Sequence, residues 1–303
     1  MAKILVVGSI NMDLVVRVPH SPSPGETVLG GDFETFPGGK GANQAVAAAR
    51  MGGDVTMVGR VGQDDFGNTL IKALVDDHIR TTHVIKDPHA ATGIAMISVA
   101  ANGENSIVVA SGANYKVSIQ DINNTRELMR EADVLLLQLE CPLDAVTTAV
   151  DLAAAYEVPV VLNPAPAQPL SPAILSRVAY LTPNESELKI LSSEEDADRA
   201  VEKLLSWGVN NLVVTLGAQG VRLISGEMDK HLPSYEITAV DTTAAGDAFN
   251  GALVVALAEG RSLLEAVRYG MAAGALSATK RGAQPSLPKR EEVENFLQSV
   301  GSM

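Results

Sequence analysis

The chain has 303 residues, 46% of them hydrophobic, a length at which folding buries roughly three quarters of the unfolded surface, so dominant disorder is excluded. Its 23 Lys and Arg against 36 Asp and Glu give a net charge of −13. That charge withholds the sequence-independent phosphate attraction of nucleic-acid binders, so DNA and RNA are not expected partners and an anionic substrate must be held by a local site. Cys141 is the single cysteine. No intramolecular disulfide and no multi-cysteine metal site can form within one chain, which fits a reducing cytoplasm.

The first apolar run, residues 4–7, is short, is followed by Asp13 and lacks a small-residue cleavage site; it reads as a buried strand rather than a signal peptide. Residues 14–36 carry Pro19, Pro22, Pro24 and several glycines. A helical composition follows at 42–51 and an apolar strand at 55–58. Residues 92–109 read as two strands about Ala101-Asn102-Gly103-Glu104, a hairpin signal. Further strands are expected at 134–139, 158–162 and 212–216, with a helix at 143–156 and small-residue helices at 244–258 and 263–279. The run 134–139 contains Gln138 and ends at Glu140, and no stretch approaches the roughly 18 apolar residues of a membrane span. Continuous apolar strands separated by helices predict an α/β fold: a doubly wound, mostly parallel sheet flanked by helices. The excursions at about 12–37 and 91–109 predict a small antiparallel β-sheet inserted in a single domain over 1–303, placed as a lid beside its mouth.

The segment Asp241-Thr242-Thr243-Ala244-Ala245-Gly246-Asp247 opens an apolar helix, with small residues where free N–H groups and the positive dipole end collect. Capping by Asp or Thr explains it as well. The lack of bulk at 244–246 would also let a phosphate approach the backbone beside a carboxylate able to take a proton. Pro37-Gly38-Gly39-Lys40-Gly41-Ala42-Asn43-Gln44 is not a Walker A loop, since no Ser or Thr follows the lysine. It is not a dinucleotide fingerprint either: the third glycine is missing and Thr35-Phe36-Pro37 does not read as a strand end. It is a flexible turn, or a set of donors for a polyhydroxyl ligand.

Asn11 and Asp13 point the same way if the chain is extended, and Glu140 stands just after a buried strand, where open α/β sheets place ligands. Asn184 followed by Glu187 has the spacing of a helix cap, and Thr215–Gly220 that of a strand ending in a turn. The five histidines, at 20, 78, 83, 89 and 231, have no metal-ligand spacing, and no Gly-x-Ser-x-Gly elbow is present, so zinc and hydrolase readings are weak.

Taken in order, Asn11-x-Asp13, Gly38-Gly39-Lys40-Gly41-Ala42-Asn43-Gln44-Ala45, Asn184-x-x-Glu187, Thr215-Leu216-Gly217-x-x-Gly220 and Asp241-Thr242-Thr243-Ala244-Ala245-Gly246-Asp247 resemble the ribokinase family of sugar kinases over about residues 3–290. The resemblance implies transfer of the γ-phosphoryl group of ATP to the 5-hydroxyl of D-ribose, with Asp247 as general base and the N–H groups of Ala244, Ala245 and Gly246 as the anion hole. By the same carry-over Asn11, Met12, Asp13, Gly39, Lys40, Gly41, Ala42, Asn43, Glu140 and Asp247 would hold the sugar. Asn184, Thr215, Leu216, Gly217, Ala218, Gln219, Gly220, Ala244, Ala245, Gly246, Asp247 and Met271 would line the nucleotide site. Mg²⁺ would arrive with ATP, with Glu187 in its outer shell. K⁺ or a similar monovalent cation would be held by Asp241, Thr243, Ser277, Lys280, Gly282 and Ser286, several of them through carbonyls, and would order the loop without touching substrate. Relatives often carry Gly at position 244. The lid often forms a homodimer interface in the family. Alternatives are a family kinase for deoxyribose or adenosine, and a non-catalytic sugar or nucleotide sensor on the same fold. A nicotinamide oxidoreductase is disfavoured by the missing glycine.

Overall fold

The computed structural model describes residues 1–102 and 104–301; Gly103 of the expected turn lies outside the described residues. The strands are β1 (Lys3–Val7), β2 (Asn11–Val18), β3 (Phe33–Gly38), β4 (Asp54–Gly62), β5 (Arg80–Asp87), β6 (Gly93–Ala100), β7 (Asn105–Ala110), β8 (Val134–Leu137), β9 (Val160–Leu162), β10 (Tyr180–Leu181), β11 (Asn211–Thr215), β12 (Val221–Ser225) and β13 (Met228–Leu232). They form a nine-stranded sheet of order β13-β12-β11-β10-β9-β8-β1-β4-β5 and a four-stranded sheet of order β3-β2-β6-β7.

In the large sheet β1, β4, β5, β8, β9, β10 and β11 run parallel. Successive residues of one strand enter opposite cores, which is why these strands are apolar throughout rather than alternating. Ile4, Val6 and Leu136 join the core beneath the Lys40–Arg50, Ala245–Ala258 and Leu263–Ala278 helices. Leu5, Val7, Leu135 and Leu137 join the core beneath the Leu143–Ala155 and Ala197–Ser206 helices. The antiparallel edge β12–β13 turns on Gly226 and Glu227, with Gly226 at φ 58°, a two-residue hairpin that the apolar periodicity does not announce.

The small sheet corrects two expectations. It is mixed rather than antiparallel, because its central strands β2 and β6 pair in parallel from Asn11 opposite Gly93 to Val18 opposite Ala100. Each follows a strand of the large parallel sheet, β1 and β5 respectively, so both leave its carboxyl edge in one direction; only the local pairs β2–β3 and β6–β7 are antiparallel. Second, Thr35, Phe36 and Pro37 do lie in a strand, β3, with Pro37 opposite Met12. β3 is an edge strand, the setting in which a proline, with no N–H to donate, is tolerated in a sheet.

The chain proceeds from β1 outward to β4 and β5, then returns to β8 on the other side of β1. The β1/β8 boundary is therefore a topological switch point, with a crevice outside the carboxyl ends of the strands. Ser9 and Asn11 follow β1, Gln138 and Glu140 follow β8, Asn163 follows β9 and Thr182 follows β10, all on that edge. Two helices close down on it by backbone contact. A Cβ on Gly41 would stand 2.6 Å from the Gly8 Cα, and one on Gly251 would stand 2.4 Å from the Ala47 Cβ and 2.8 Å from the Gln44 carbonyl oxygen. Among the described residues no helix is long and apolar enough to cross a membrane.

Gly251→Val is expected to lower stability by about 2 kcal/mol, in the range for overpacked cores, measured by thermal unfolding. An unchanged midpoint would show that the two helices can part without cost.

Candidate active site

Asp247 is the third residue of the Ala245–Ala258 helix and is 8% exposed. Its two carboxylate oxygens each accept one amide N–H: Oδ1 from Gln44 Nε2 at 2.9 Å and Oδ2 from Asn43 Nδ2 at 3.0 Å. Burial pushes its pKa above the usual carboxylate range and Glu140 adds to this, against the opposing pull of Lys40 and of the two amides.

Ahead of it, Ala244 sits in the left-handed region at φ 60°, ψ 9°, where only glycine is free of strain. That conformation closes a turn in which the Ala245 N–H donates to the Thr242 carbonyl at 3.2 Å. The expected anion hole is corrected accordingly: the Ala245 N–H is already engaged, while the N–H groups of Ala244, Gly246 and Asp247 have no acceptor among the described residues. A Cβ on Gly246 would meet nothing within 4 Å, so that face is open to a ligand.

The residues expected to hold a sugar lie at the switch point. Glu140 Oε2 accepts from the Ser9 hydroxyl and from the Lys40 backbone N–H at 3.2 Å. Asn11 Oδ1 accepts from Asn114 Nδ2 at 2.6 Å, while Asn114 Oδ1 accepts from the Ile10 N–H at 2.9 Å. This fixes the Asn11 amide with its NH₂ as the end left to donate. Asn43 Oδ1 is buried with no partner among the described residues, the kind of orphaned acceptor that a hydroxyl satisfies. Burial, then Glu140 and Asp247, push Asp13 up to about 7 against the pull of Lys40. Burial alone would lower the Lys40 pKa, but Asp247, Glu140, Glu187 and Asp13 together raise it, so this ammonium stays charged. Met12 and Ala42 turn their side chains into the core and can offer only main-chain atoms; the Ala42 N–H is already bonded to the Ser9 carbonyl. Gly39, at φ 88°, and Gly41 provide the tight turn and close packing beneath the site.

Toward the nucleotide side, Asn184 and Glu187 form the capping box their spacing suggests, Oδ1 accepting from the Glu187 N–H and Oε2 from the Asn184 N–H, both at 2.8 Å. Burial raises the Glu187 pKa. Asn184 bridges Thr215 at the end of β11. The Leu216 N–H donates to the Gly220 carbonyl, with exposed Gly217, Ala218 and Gln219 between them. Gly220, at φ 101°, accepts no side chain, since a Cβ there would lie 2.0 Å from the Leu232 carbonyl oxygen. Met271 belongs to the buried core, so its side chain contributes to packing.

The six residues matched to a monovalent cation are partly gathered. Asp241 Oδ1 accepts from the Thr243 N–H at 2.9 Å and Oδ2 from the Gly282 N–H at 3.0 Å. Its backbone N–H reaches the Ala278 carbonyl, and the Ser277 and Ser286 hydroxyls meet at 2.8 Å. Lys280 gives its ammonium to Glu292 at 2.6 Å, leaving it only a carbonyl to offer. One carboxylate with hydroxyls and carbonyls is an all-oxygen set that suits a hard cation. Among the described residues no group of three or more His, Cys, Asp or Glu side chains is placed to hold a metal. A divalent ion carried in on a triphosphate, with a single carboxylate in its outer shell, needs no such group.

Several residues that complete the site escape motif reading: Ser9, Asn114, Gln138, Asn163, Thr182 and Asn250. Thr182 Oγ1 donates to Asn250 Oδ1 at 2.7 Å, and Asn250 Nδ2 to the Gly246 carbonyl at 2.8 Å. The one signal available was Gln138, a polar residue in an otherwise apolar strand run, which burial obliges to find a partner.

The model of the pfkB family carbohydrate kinases matches residues 1–290. The ribokinase of Haemophilus influenzae is 45% identical over 298 residues, 97% of either chain. The crystal structure of ribokinase from Thermotoga maritima matches with a TM-score of 0.90 at 42% identity, covering 98% of this chain and 100% of that one. The structure of Arabidopsis thaliana ribokinase complexed with ribose and ATP matches with a TM-score of 0.90 at 34% identity, covering 98% and 99%. With its switch-point crevice, its buried carboxylate at an open helix start and these matches along nearly its whole length, the chain belongs to the pfkB family of carbohydrate kinases.

Proposed function

We propose that this chain is an ATP-dependent kinase that transfers the γ-phosphoryl group to the 5-hydroxyl of D-ribose, giving D-ribose 5-phosphate and ADP. The observation that carries the reading is Asp247: a buried carboxylate held by two amides at a helix start whose N–H groups at 244, 246 and 247 have no acceptor among the described residues and where Gly246 is open. Asn11, Asp13, Gly39, Lys40, Asn43 and Glu140 would bind and orient the sugar by its hydroxyl pattern, since an unpaired polar group left by a wrong sugar is expensive. Each Asp247 oxygen accepts a single amide, Oδ1 from Gln44 and Oδ2 from Asn43, so the carboxylate keeps lone pairs with which to take the hydroxyl proton as the oxygen–phosphorus bond forms and the bond to ADP breaks. The N–H groups of Ala244, Gly246 and Asp247 stabilise charge on the group in flight. Asn184 and Thr215–Gly220 would seat the nucleotide.

Mg²⁺ bound with ATP would neutralise charge on the phosphates, and Glu187 would meet its waters. K⁺ at Asp241, Thr243, Ser277, Lys280, Gly282 and Ser286 would brace the loop before Ala244. A homodimer through the small sheet fits edge strand β7, which leaves Ile107, Val108 and Val109 exposed. The cytoplasm is the compartment this reading takes, on the strength of the single, buried Cys141.

The test is ATP-dependent phosphorylation of ribose, 2-deoxyribose, fructose and adenosine, each in K⁺ and then in Na⁺ alone. Ribose turnover that rises with K⁺ is expected. Preference for another acceptor keeps the mechanism and moves the substrate, and no turnover of any acceptor makes the sensor the better account. Asp247→Asn is expected to fold and to lose about 10²–10⁴ in kcat, and near-normal turnover would remove the base from the mechanism. At position 244, Ala→Gly should keep kcat, whereas Ala→Val, a β-branched residue at φ 60°, should lose most of it. Equal rates in the two variants would mean that the turn does not shape the anion hole.

A further inference from the structure

Behind Asp247, on the side away from Asn43, lies a chain of buried amides that the reaction as described does not use. Gln44 and Gln138 are fully buried and Asn163 is 8% exposed. Gln44 Nε2 donates both to Asp247 Oδ1 at 2.9 Å and to Asn163 Oδ1 at 3.0 Å, and Gln44 Oε1 accepts from Gln138 Nε2 at 2.6 Å. Asn163 is itself oriented, because its Nδ2 donates to the Thr182 carbonyl at 3.0 Å. Two acceptors, one of them anionic, therefore face one end of the Gln44 amide, and a donor faces the other. Turning that amide over would set its oxygen against both acceptors and its NH₂ against the NH₂ of Gln138, so the Gln44 amide has one favourable orientation, while Gln138, whose buried Oε1 finds no partner among the described residues, is oriented by Gln44. Space for this arrangement is made by a glycine: a Cβ on Gly8 would lie 2.1 Å from Gln138 Oε1.

We propose that Gln44 is the positioning residue of Asp247, its amide held by Gln138 and Asn163 so that it always presents an N–H to Oδ1 and holds the carboxylate ionised. The inference rests on the kinase reading above. A carboxylate this buried favours protonation, and a protonated base accepts nothing; hydrogen bonds to its charged form oppose that. The charged groups facing Asp247 are Lys40, which favours ionisation, and Glu140, Asp13 and Glu187, which oppose it. Gln44 adds a fixed dipole on the favourable side. Removing it raises the Asp247 pKa, so the acidic limb of the kcat–pH profile moves upward.

The experiment is the kcat–pH profile on ribose, with KM for ribose and ATP, for the full-length chain and for Gln44→Met, Gln44→Glu and Gln138→Met, with thermal unfolding alongside. Gln44→Met is expected to lower kcat by about 10- to 100-fold, the worth of a hydrogen bond to a charged group. It should also move the acidic limb up by about one pH unit, with KM for ribose within about twofold. Gln44→Glu, which sets a second carboxylate against Oδ1, should move the limb further. Gln138→Met, which touches Asp247 nowhere and only frees the Gln44 amide, should move it less and in the same direction; it also decides the matter if the Gln44 variants do not fold. Rates lowered equally at every pH, with the limb unmoved in all folded variants, would reduce the amides to packing and overturn the proposal. So would a raised KM for ribose with kcat intact, which would make Gln44 a substrate contact. An unmutated chain that phosphorylates no acceptor would instead overturn the kinase reading, and the two failures are told apart by that control.

Discussion

The site depends on one close approach of backbones. The Lys40–Arg50 helix lies against the turn after β1 and against the Ala245–Ala258 helix, and at both contacts the fit is made by glycine: Gly41 on Gly8, Gly251 on Ala47 and the Gln44 carbonyl. Side chains at those positions would hold the helices apart, and the distances from Asn43 and Gln44 to Asp247 would open with them. Because the helices touch, two amides from one end of the chain reach a carboxylate more than 200 residues away at hydrogen-bond length. Interiors packed this densely pass on displacement rather than absorb it, so the geometry of the base is set by the same contacts that hold the fold.

Charge is then divided between two sides of one crevice. Asp13, Glu140, Glu187 and Asp247 all act on a single ammonium, Lys40. This excess of carboxylate repels anions and attracts hydroxyl donors, which is why burial and mutual repulsion lift Asp13 to about 7. On the other side free N–H groups at the helix start offer positive potential with no side chain at all. Asp247 thus stands between two opposite electrostatic environments, the arrangement that the proposed reaction between a neutral polyol and a polyanion calls for, in a protein whose net charge is −13.

Much of the fold was legible because it depends on local rules. Apolar runs without alternation mean strands covered on both faces, and β1, β4, β8, β9 and β11 lie where those runs are. The parallel pairing of β2 with β6 was not legible: it follows from where the chain leaves the large sheet, which no local pattern records. Pro37 misled, because the rule against proline in strands relaxes at an edge, and being an edge is a property of the assembled sheet. The same division holds at the site. Asp247, Lys40 and Asn43 stand in motifs contiguous in the chain, whereas Gln138, Asn163, Thr182 and Asn250 come from separate strands and helices and become a network only on folding.

Ala244 shows why the disagreements between local preference and structure gather at the site. A left-handed residue with a Cβ costs about 1 kcal/mol or more, and the half-buried methyl of Ala244 packs only against the margin of the core. What the conformation does is turn the chain so that the Thr242 carbonyl takes the Ala245 N–H, leaving the N–H groups on either side of it unclaimed. A relaxed helix start with a Ser or Asp cap would have satisfied those donors internally and been more stable. Strain of this kind persists where the surroundings over-determine it. Here they do: Asp241 clamps the turn to Thr243 and Gly282, the Ala278 carbonyl accepts from the Val240 and Asp241 N–H groups just before it, and Asn250 ties the Gly246 carbonyl to Thr182. The unsatisfied donors are thus kept by bonds on every side of them, and they stay available to an anion because the protein has left them nothing else to bind.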